Sequence, residues 1–155
     1  MNMALKYAKE SDGLTSSLQM SHIVFDELSF KRLGFTKAKD ESSKTKVSLG
    51  TNIGKIEDGT YKVSLKLTAE NENEYVAYVI ISAYCKVNED DELKERLLKE
   101  NAVAILYPYA RAEMTLLTAQ PETDALTLPV LNVTAMVRSA EMEHEDGETK
   151  PSNDK

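Results

Sequence analysis

Ile105-Leu106-Tyr107-Pro108-Tyr109-Ala110-Arg111 stands inside a run that otherwise reads as helix, and it decides how the second half of the chain is organised. Proline in a helix interior removes a backbone donor and clashes with the carbonyl one turn back, at a cost of about 3 kcal/mol. Keeping one here, between two tyrosines and ahead of an arginine, implies a kink or a fresh helix start. Upstream, Asp90 and Asp91 place carboxylates at the positive end of a helix dipole, and Leu93, Leu97, Leu98, Ala102, Ile105 and Leu106 follow at helical spacing. Tyr109, Ala112, Met114, Leu116 and Leu117 carry the stripe past the proline, until Gln120-Pro121-Glu122-Thr123-Asp124 breaks it. Leu126-Thr127-Leu128-Pro129-Val130-Leu131-Asn132 is then an extended apolar segment ending in a helix cap, Asn132. The last helix uses Val133, Met136, Val137 and Ala140 as its apolar side.

Ahead of the helical half the period is two. Residues 16–35 form the first strand, with Leu18, Met20, His22, Val24, Asp26, Leu28 and Phe30 expected on one face and Ile23 and Phe25 making the other face apolar as well. A polar, lysine-rich link over 36–46 leads to a second strand with Val47, Leu49 and Ile53 on one side. Asp58-Gly59 is a hairpin turn. The third strand alternates cleanly, Tyr61, Val63, Leu65, Leu67 and Ala69 against Lys62, Ser64, Lys66 and Thr68. After the turn over 70–73, the fourth strand, over 74–87, is again apolar on both faces, with Tyr75, Ala77, Val79 and Ile81 opposite Val76, Tyr78 and Ile80. Strands buried on both faces in so small a sheet call for a second layer, and a partner subunit is one natural source. The domain so read spans 16–141, preceded by an arm or short helix over 1–15 and followed by an acidic, polar tail over 142–155 expected to be disordered.

The 155 residues suit one domain, and 41% hydrophobic with 29% charged residues is a globular composition. A formal net charge of -7 argues against a nucleic-acid partner. Cys85 is the only cysteine, which excludes an internal disulfide and favours a cytoplasmic location. No apolar run approaches the length of a membrane span, and no secretory h-region opens the chain. His22 and His144 stand alone, with no spacing that suggests a metal site, no glycine-rich phosphate loop and no nucleophile elbow. An enzyme, a metal and a cofactor are therefore not expected.

The two proline segments together resemble the hallmark segments of SecB, the tetrameric protein-export chaperone family. Pro108-Tyr109-Ala110-Arg111 matches its helix-start motif, and Leu126 to Asn132 its extended loop into a last helix. Leu28-Ser29-Phe30 and Tyr61-Lys62-Val63-Ser64-Leu65 are similar to their SecB counterparts, and the order of four strands then two helices is the family's. The resemblance, over about 18–137, implies an α+β fold: a four-stranded antiparallel sheet with two helices packed on one side, assembled as a homotetramer, a dimer of dimers. It implies an ATP-independent holdase that keeps unfolded preproteins export-competent. Such a protein offers apolar grooves of low side-chain specificity, where many weak contacts add up.

On that reading Val47, Leu49, Ile53, Leu126, Leu128, Val130 and Met136 are the candidate client groove. Ile23, Phe25, Tyr78, Ile80, Tyr107, Tyr109 and Arg111 are candidates for the subunit interface. The loop bearing Leu126, Leu128 and Val130 either tucks against the core or forms one wall of an open groove. SecB docks on the SecA motor through acidic residues of its exposed sheet face. Glu27 matches one of them, but Lys31 follows at the next such position, and Ile80 or Ile81 replaces the fourth-strand acid. The link over 36–46 also lacks the tryptophan common there. Two alternatives accompany the export reading: a SecB-like chaperone dedicated to the antitoxin of a toxin–antitoxin pair, and an adaptor oligomer without chaperone activity.

Overall fold

The structure, a computed structural model, describes residues 17–34, 45–136 and 138. The arm over 1–15 and the tail over 142–155 lie outside the described residues. Strands β1 (Gln19–Arg32), β2 (Lys46–Glu57), β3 (Thr60–Asn71) and β4 (Tyr75–Lys86) form one antiparallel sheet ordered β1-β4-β3-β2. A short helix α1 (Lys94–Arg96) continues through a π-helical turn (Leu97–Ala102) into the main helix α2 (Val103–Thr118). The fold is therefore α+β, with the main helix and the short one packed on the sheet.

The core follows from the alternation. Tyr61, Val63, Leu65, Leu67 and Ala69 of β3 and Tyr75, Ala77, Val79, Ile81, Ala83 and Cys85 of β4 share the face turned to the helix, and all are buried. Against them α2 sets Val103, Leu106, Tyr107, Ala110, Met114 and Thr118. Burying one such Leu or Ile contributes about 1.5–3 kcal/mol. The helix is about 10–12 Å across with its side chains, whereas the outermost of four strands spaced about 4.8 Å apart lie roughly 14 Å from each other. Accordingly α2 packs chiefly on β4 and β3, and the edge strands β1 and β2 keep much of their inner face open.

The faces of β1 differ from strict alternation. The pairing with β4 slips at Ser21 and again at Asp26, and each slip is a bulge that shifts the following residues to the other face. Met20, Ile23, Phe25, Leu28 and Phe30 therefore share the helix-side face, opposite Cys85, Ala83, Ile81, Val79 and Ala77. His22, Val24, Glu27, Ser29 and Lys31 face outward with Tyr84, Ser82, Ile80, Tyr78 and Val76. The second bulge has a polar reason. Asp26 accepts hydrogen bonds from the Ser82 hydroxyl and, at 3.2 Å, from Lys62, while the Ser82 and Ser64 hydroxyls lie 2.8 Å apart. The bond from Ser82, aided by Lys62, holds the Asp26 carboxyl below its usual range.

At the other end of the sheet, Gly59 takes a left-handed φ of 73°, and a Cβ there would stand 3.0 Å from the Val87 carbonyl. Its N–H donates to Glu89 at 2.8 Å, and the same carboxylate accepts from Tyr61 at 2.9 Å, Lys94 at 2.8 Å and Lys55 at 3.1 Å. One side chain thus ties the β2–β3 hairpin to the start of the helical half. The bond from Lys94, with those from Gly59, Lys55 and Tyr61, holds the Glu89 carboxyl far below its ordinary value. A depressed carboxylate stabilises the fold above its unfolded value, about 4.5, and loses that contribution as the pH falls towards the folded one. Glu89→Gln is expected to lower the urea midpoint at pH 7, by an amount that shrinks as both proteins are titrated below pH about 4. A midpoint difference independent of pH would refute the ionic lock.

Candidate functional site

The segment after α2 is held along that helix by a ladder of side chains at helical spacing. The Tyr107 hydroxyl donates to the Pro129 carbonyl at 3.0 Å, Arg111 to that of Leu128 at 3.5 Å, and Thr115 to that of Leu126 at 2.9 Å. Thr118 closes the ladder by accepting from the Leu126 N–H at 2.8 Å while donating to Met114. Positions 107, 111, 115 and 118 lie on one stripe of a helix. Backbone groups that would otherwise be left without a ladder are thereby satisfied. Burial pushes the Tyr107 phenol up, opposed by the Arg111 charge.

Asn132 then caps the next helical turn, 133–136, its side-chain oxygen accepting from the Ala135 N–H at 3.1 Å. Farther on, Arg138 grips Glu100 of the π-helical turn through two bonds of 2.9 and 3.0 Å, joined by Arg96 at 3.3 Å. The Arg138 bond is the main reason the Glu100 carboxyl lies below its usual range. Between α2 and this returning segment opens a cleft of about 320 Å³ bordered by Ala104, Tyr107, Pro108, Arg111, Val130 and Val133.

The residues named from the sequence fall in distinct places. Leu128 is buried at 6% exposure against the core and Leu126 is half-buried, whereas Val130 is 84% exposed at the cleft rim and Met136 is exposed beyond it. The loop thus divides between the two alternatives, Leu128 packing inward and Val130 open. Val47, Leu49 and Ile53 share the inner face of β2, Val47 exposed and the other two half-buried. Of the residues assigned to assembly, Ile23 and Phe25 lie on the open inner face of β1, Tyr78 and Ile80 on the outer sheet face, and Tyr109 on an exposed side of α2. Tyr107 and Arg111 belong to the loop ladder. These seven do not form one surface. Leu28, beside Ile23 and Phe25, and the helix residues Ile105, Tyr109 and Leu116 are exposed apolar groups as well.

Thr115 and Thr118 were not singled out in the sequence, although their spacing from Tyr107 and Arg111 was there to be read. Glu27 faces outward, accepting from the Tyr78 hydroxyl and standing directly across from Ile80. His22 meets the edge of Tyr84, at 6.2 Å between ring centres. Burial pushes the Cys85 thiol up to about 11, which leaves it an inert apolar group at neutral pH. Among the described residues no cluster of His, Cys, Asp and Glu could hold a metal, and no helix is long and apolar enough to cross a membrane.

These features place the chain among the SecB proteins: the family model described as preprotein translocase subunit SecB matches residues 12–144, and the chain belongs to that family. An uncharacterized protein of Methanocaldococcus jannaschii is 28% identical over 142 residues, 86% of this chain and 91% of that one. Among solved structures, the Mycobacterium tuberculosis SecB-like chaperone Rv1957, in complex with a ChAD peptide from the HigA1 antitoxin, matches with a TM-score of 0.56 at 18% identity. That match covers 74% of this chain and 90% of the other and shows a shared fold.

Pro108 sits inside α2 rather than at a fresh helix start, so the Ala104 carbonyl loses its helical donor. Pro108→Ala restores that donor and is expected to raise the denaturation midpoint by the equivalent of about 1–3 kcal/mol. A lower midpoint in equilibrium unfolding would mean that packing of the ring outweighs the missing bond.

Proposed function

We propose that this chain is an ATP-independent holdase chaperone, binding unfolded or partly folded polypeptides on the apolar inner face of its edge strand β2 and along the docked loop. The observation that carries this reading is the set of exposed apolar side chains on the helix side of a SecB-family sheet: Ile23, Phe25, Leu28, Val47 and Val130. Isolated apolar residues on a surface need no explanation, but a set gathered on one side of a fold marks a binding surface. In the family reading part of this surface meets other subunits, as a tetramer built from two dimers, and part meets the client. The β1 face and the exposed α2 residues Ile105, Tyr109 and Leu116 suit assembly, since they lie along an edge strand and the neighbouring helix. Val47, Leu49 and Ile53 of β2 and Val130 beside the cleft suit the client. Light scattering is expected to give a tetramer in exchange with dimers, and a monomer at micromolar concentration would remove the assembly.

Purified protein is expected to suppress aggregation of a denatured client on dilution, without nucleotide. Val47→Ser together with Val130→Ser should weaken that suppression several-fold while leaving the oligomer and the denaturation midpoint unchanged, because both side chains are exposed. Full suppression by the double variant would move the client surface elsewhere. No suppression by the unmodified protein would leave the adaptor reading.

A second reading, a chaperone dedicated to an antitoxin, draws support from the structural neighbour seen with an antitoxin peptide. Lys31 on the outer face, four residues past Glu27 with Ser29 between them, favours it over docking on SecA, because a lysine repels the basic partner that an acidic face attracts. Broad suppression across unrelated clients supports the export role, and protection confined to one antitoxin the dedicated role.

A further inference from the structure

The cleft between α2 and the returning segment joins two features that no apolar groove needs. Its lining holds one charged side chain, Arg111, whose five N–H donors make one hydrogen bond among the described residues, the 3.5 Å contact with the Leu128 carbonyl. Among the described residues no carboxylate pairs with that guanidinium. Ala104 lines the same cleft, and its carbonyl lacks an N–H donor one turn on because Pro108 has none. Around these two polar groups the lining combines an apolar part, the Pro108 ring, Val130, Leu131 and Val133, with the polar side chains of Tyr107, Asn132 and Thr134. At about 320 Å³ the space is at the small end for a ligand pocket, suited to a side chain or two and not to a folded surface.

We propose that this cleft is a carboxylate-reading subsite for extended polypeptide, in which an apolar client side chain enters between Pro108 and Val130, a neighbouring carboxylate meets the Arg111 guanidinium, and a client N–H donates to the Ala104 carbonyl. The inference rests on the polypeptide-binding reading above and gives it a selectivity: apolar segments interrupted by an acidic residue, or ending in a free chain terminus, bind in preference to purely apolar ones. Guanidinium and carboxylate form the stronger, paired kind of hydrogen bond, and a half-buried guanidinium gains more from it than an exposed one.

The test uses the full-length protein and fluorescein-labelled undecapeptides with amidated termini, alike except for a leucine–aspartate–leucine or a leucine–asparagine–leucine centre. A further pair, an all-apolar undecapeptide as free acid and as amide, separates a side-chain carboxylate from a chain terminus. Fluorescence anisotropy is expected to show the aspartate peptide binding about tenfold more tightly than its asparagine twin. Arg111→Gln should erase the difference, Arg111→Lys should keep part of it, and Ala104→Phe, which fills the cleft, should weaken both peptides. Equal binding of the twins by the unmodified protein, or discrimination that survives Arg111→Gln in a variant with an unchanged circular dichroism spectrum, overturns the subsite. If the peptides fail to discriminate but aggregation is still suppressed, only the subsite falls. If neither peptide binds and aggregation proceeds unchecked, the polypeptide-binding reading falls with it.

Discussion

One helix cannot cover four strands, and that mismatch of widths shapes the molecule. The central pair β3 and β4 receives α2 and becomes a sealed core, with Val63, Leu65, Val79, Ile81 and Leu106 fully buried. The edge strands receive little cover, so the same inward-facing pattern that makes a core in the middle makes an apolar margin on either side. Ile23, Phe25 and Leu28 sit on one margin, Val47 and Ile53 on the other. Apolar margins left in water gain free energy when other apolar surface covers them, which is the basis of the proposed binding. Stability and binding here draw on one hydrophobic pattern, divided by where the helix ends.

The loop after α2 extends the same logic. An extended segment lying on a helix has no strand partner for its backbone, and each unpaired carbonyl in a half-buried setting costs about 1–3 kcal/mol. Tyr107, Arg111 and Thr115 supply donors to the carbonyls of Pro129, Leu128 and Leu126, and Thr118 supplies the acceptor. With its backbone satisfied, the segment can turn Leu128 inward and leave Val130 in the open at the cleft. The Glu100–Arg138 pair closes the far end of the same arrangement. Proline within α2 fits this picture as a residue whose missing N–H frees a carbonyl beside the cleft rather than as one that starts a helix.

Much of this was legible in the sequence wherever one periodicity held without interruption. β3 alternates without a fault, and its buried face was readable residue by residue; the Asp58-Gly59 turn and the Asn132 cap follow from chemistry that few other residues offer. β1 was harder. Its two bulges change the phase of the alternation twice, and neither Ser21 nor Asp26 announces a bulge by itself. Asp26 is explained only by Ser82 and Lys62, which lie 56 and 36 residues away along the chain. The helical stripe was readable as a stripe but not as a direction: Leu106, Ala110 and Met114 turn inward, while Ile105, Tyr109 and Leu116 remain outside. A helix apolar on more than one side does not say which side the sheet will take. The loop ladder is hard to read in the sequence because two of its four members are threonines, whose partners, the Leu126 carbonyl for Thr115 and the Leu126 N–H for Thr118, lie 11 and 8 residues on along the chain.

The outer sheet face separates this chain from what its family resemblance implies about a motor partner. An acidic patch attracts a basic tail only if its carboxylates stand together and unshielded. Here Glu27 is engaged by the Tyr78 hydroxyl and faces Ile80 across the strand pair, Asp26 is engaged by Lys62, and Lys66 lies 4.6 Å above the Tyr78 ring. Lys31 adds positive charge on the same face. Carboxylates and ammonium groups interleave, so their fields cancel beyond about a Debye length, roughly 8 Å in physiological salt. A basic partner approaching that face meets little net attraction, and the polar network beneath it serves chiefly to hold β1 in register against β4. On the proposed reading the functional weight of the molecule then lies on the helix side, where apolar margins, the docked loop and the Arg111 cleft lie, and where binding of a polypeptide needs no charge on the opposite face.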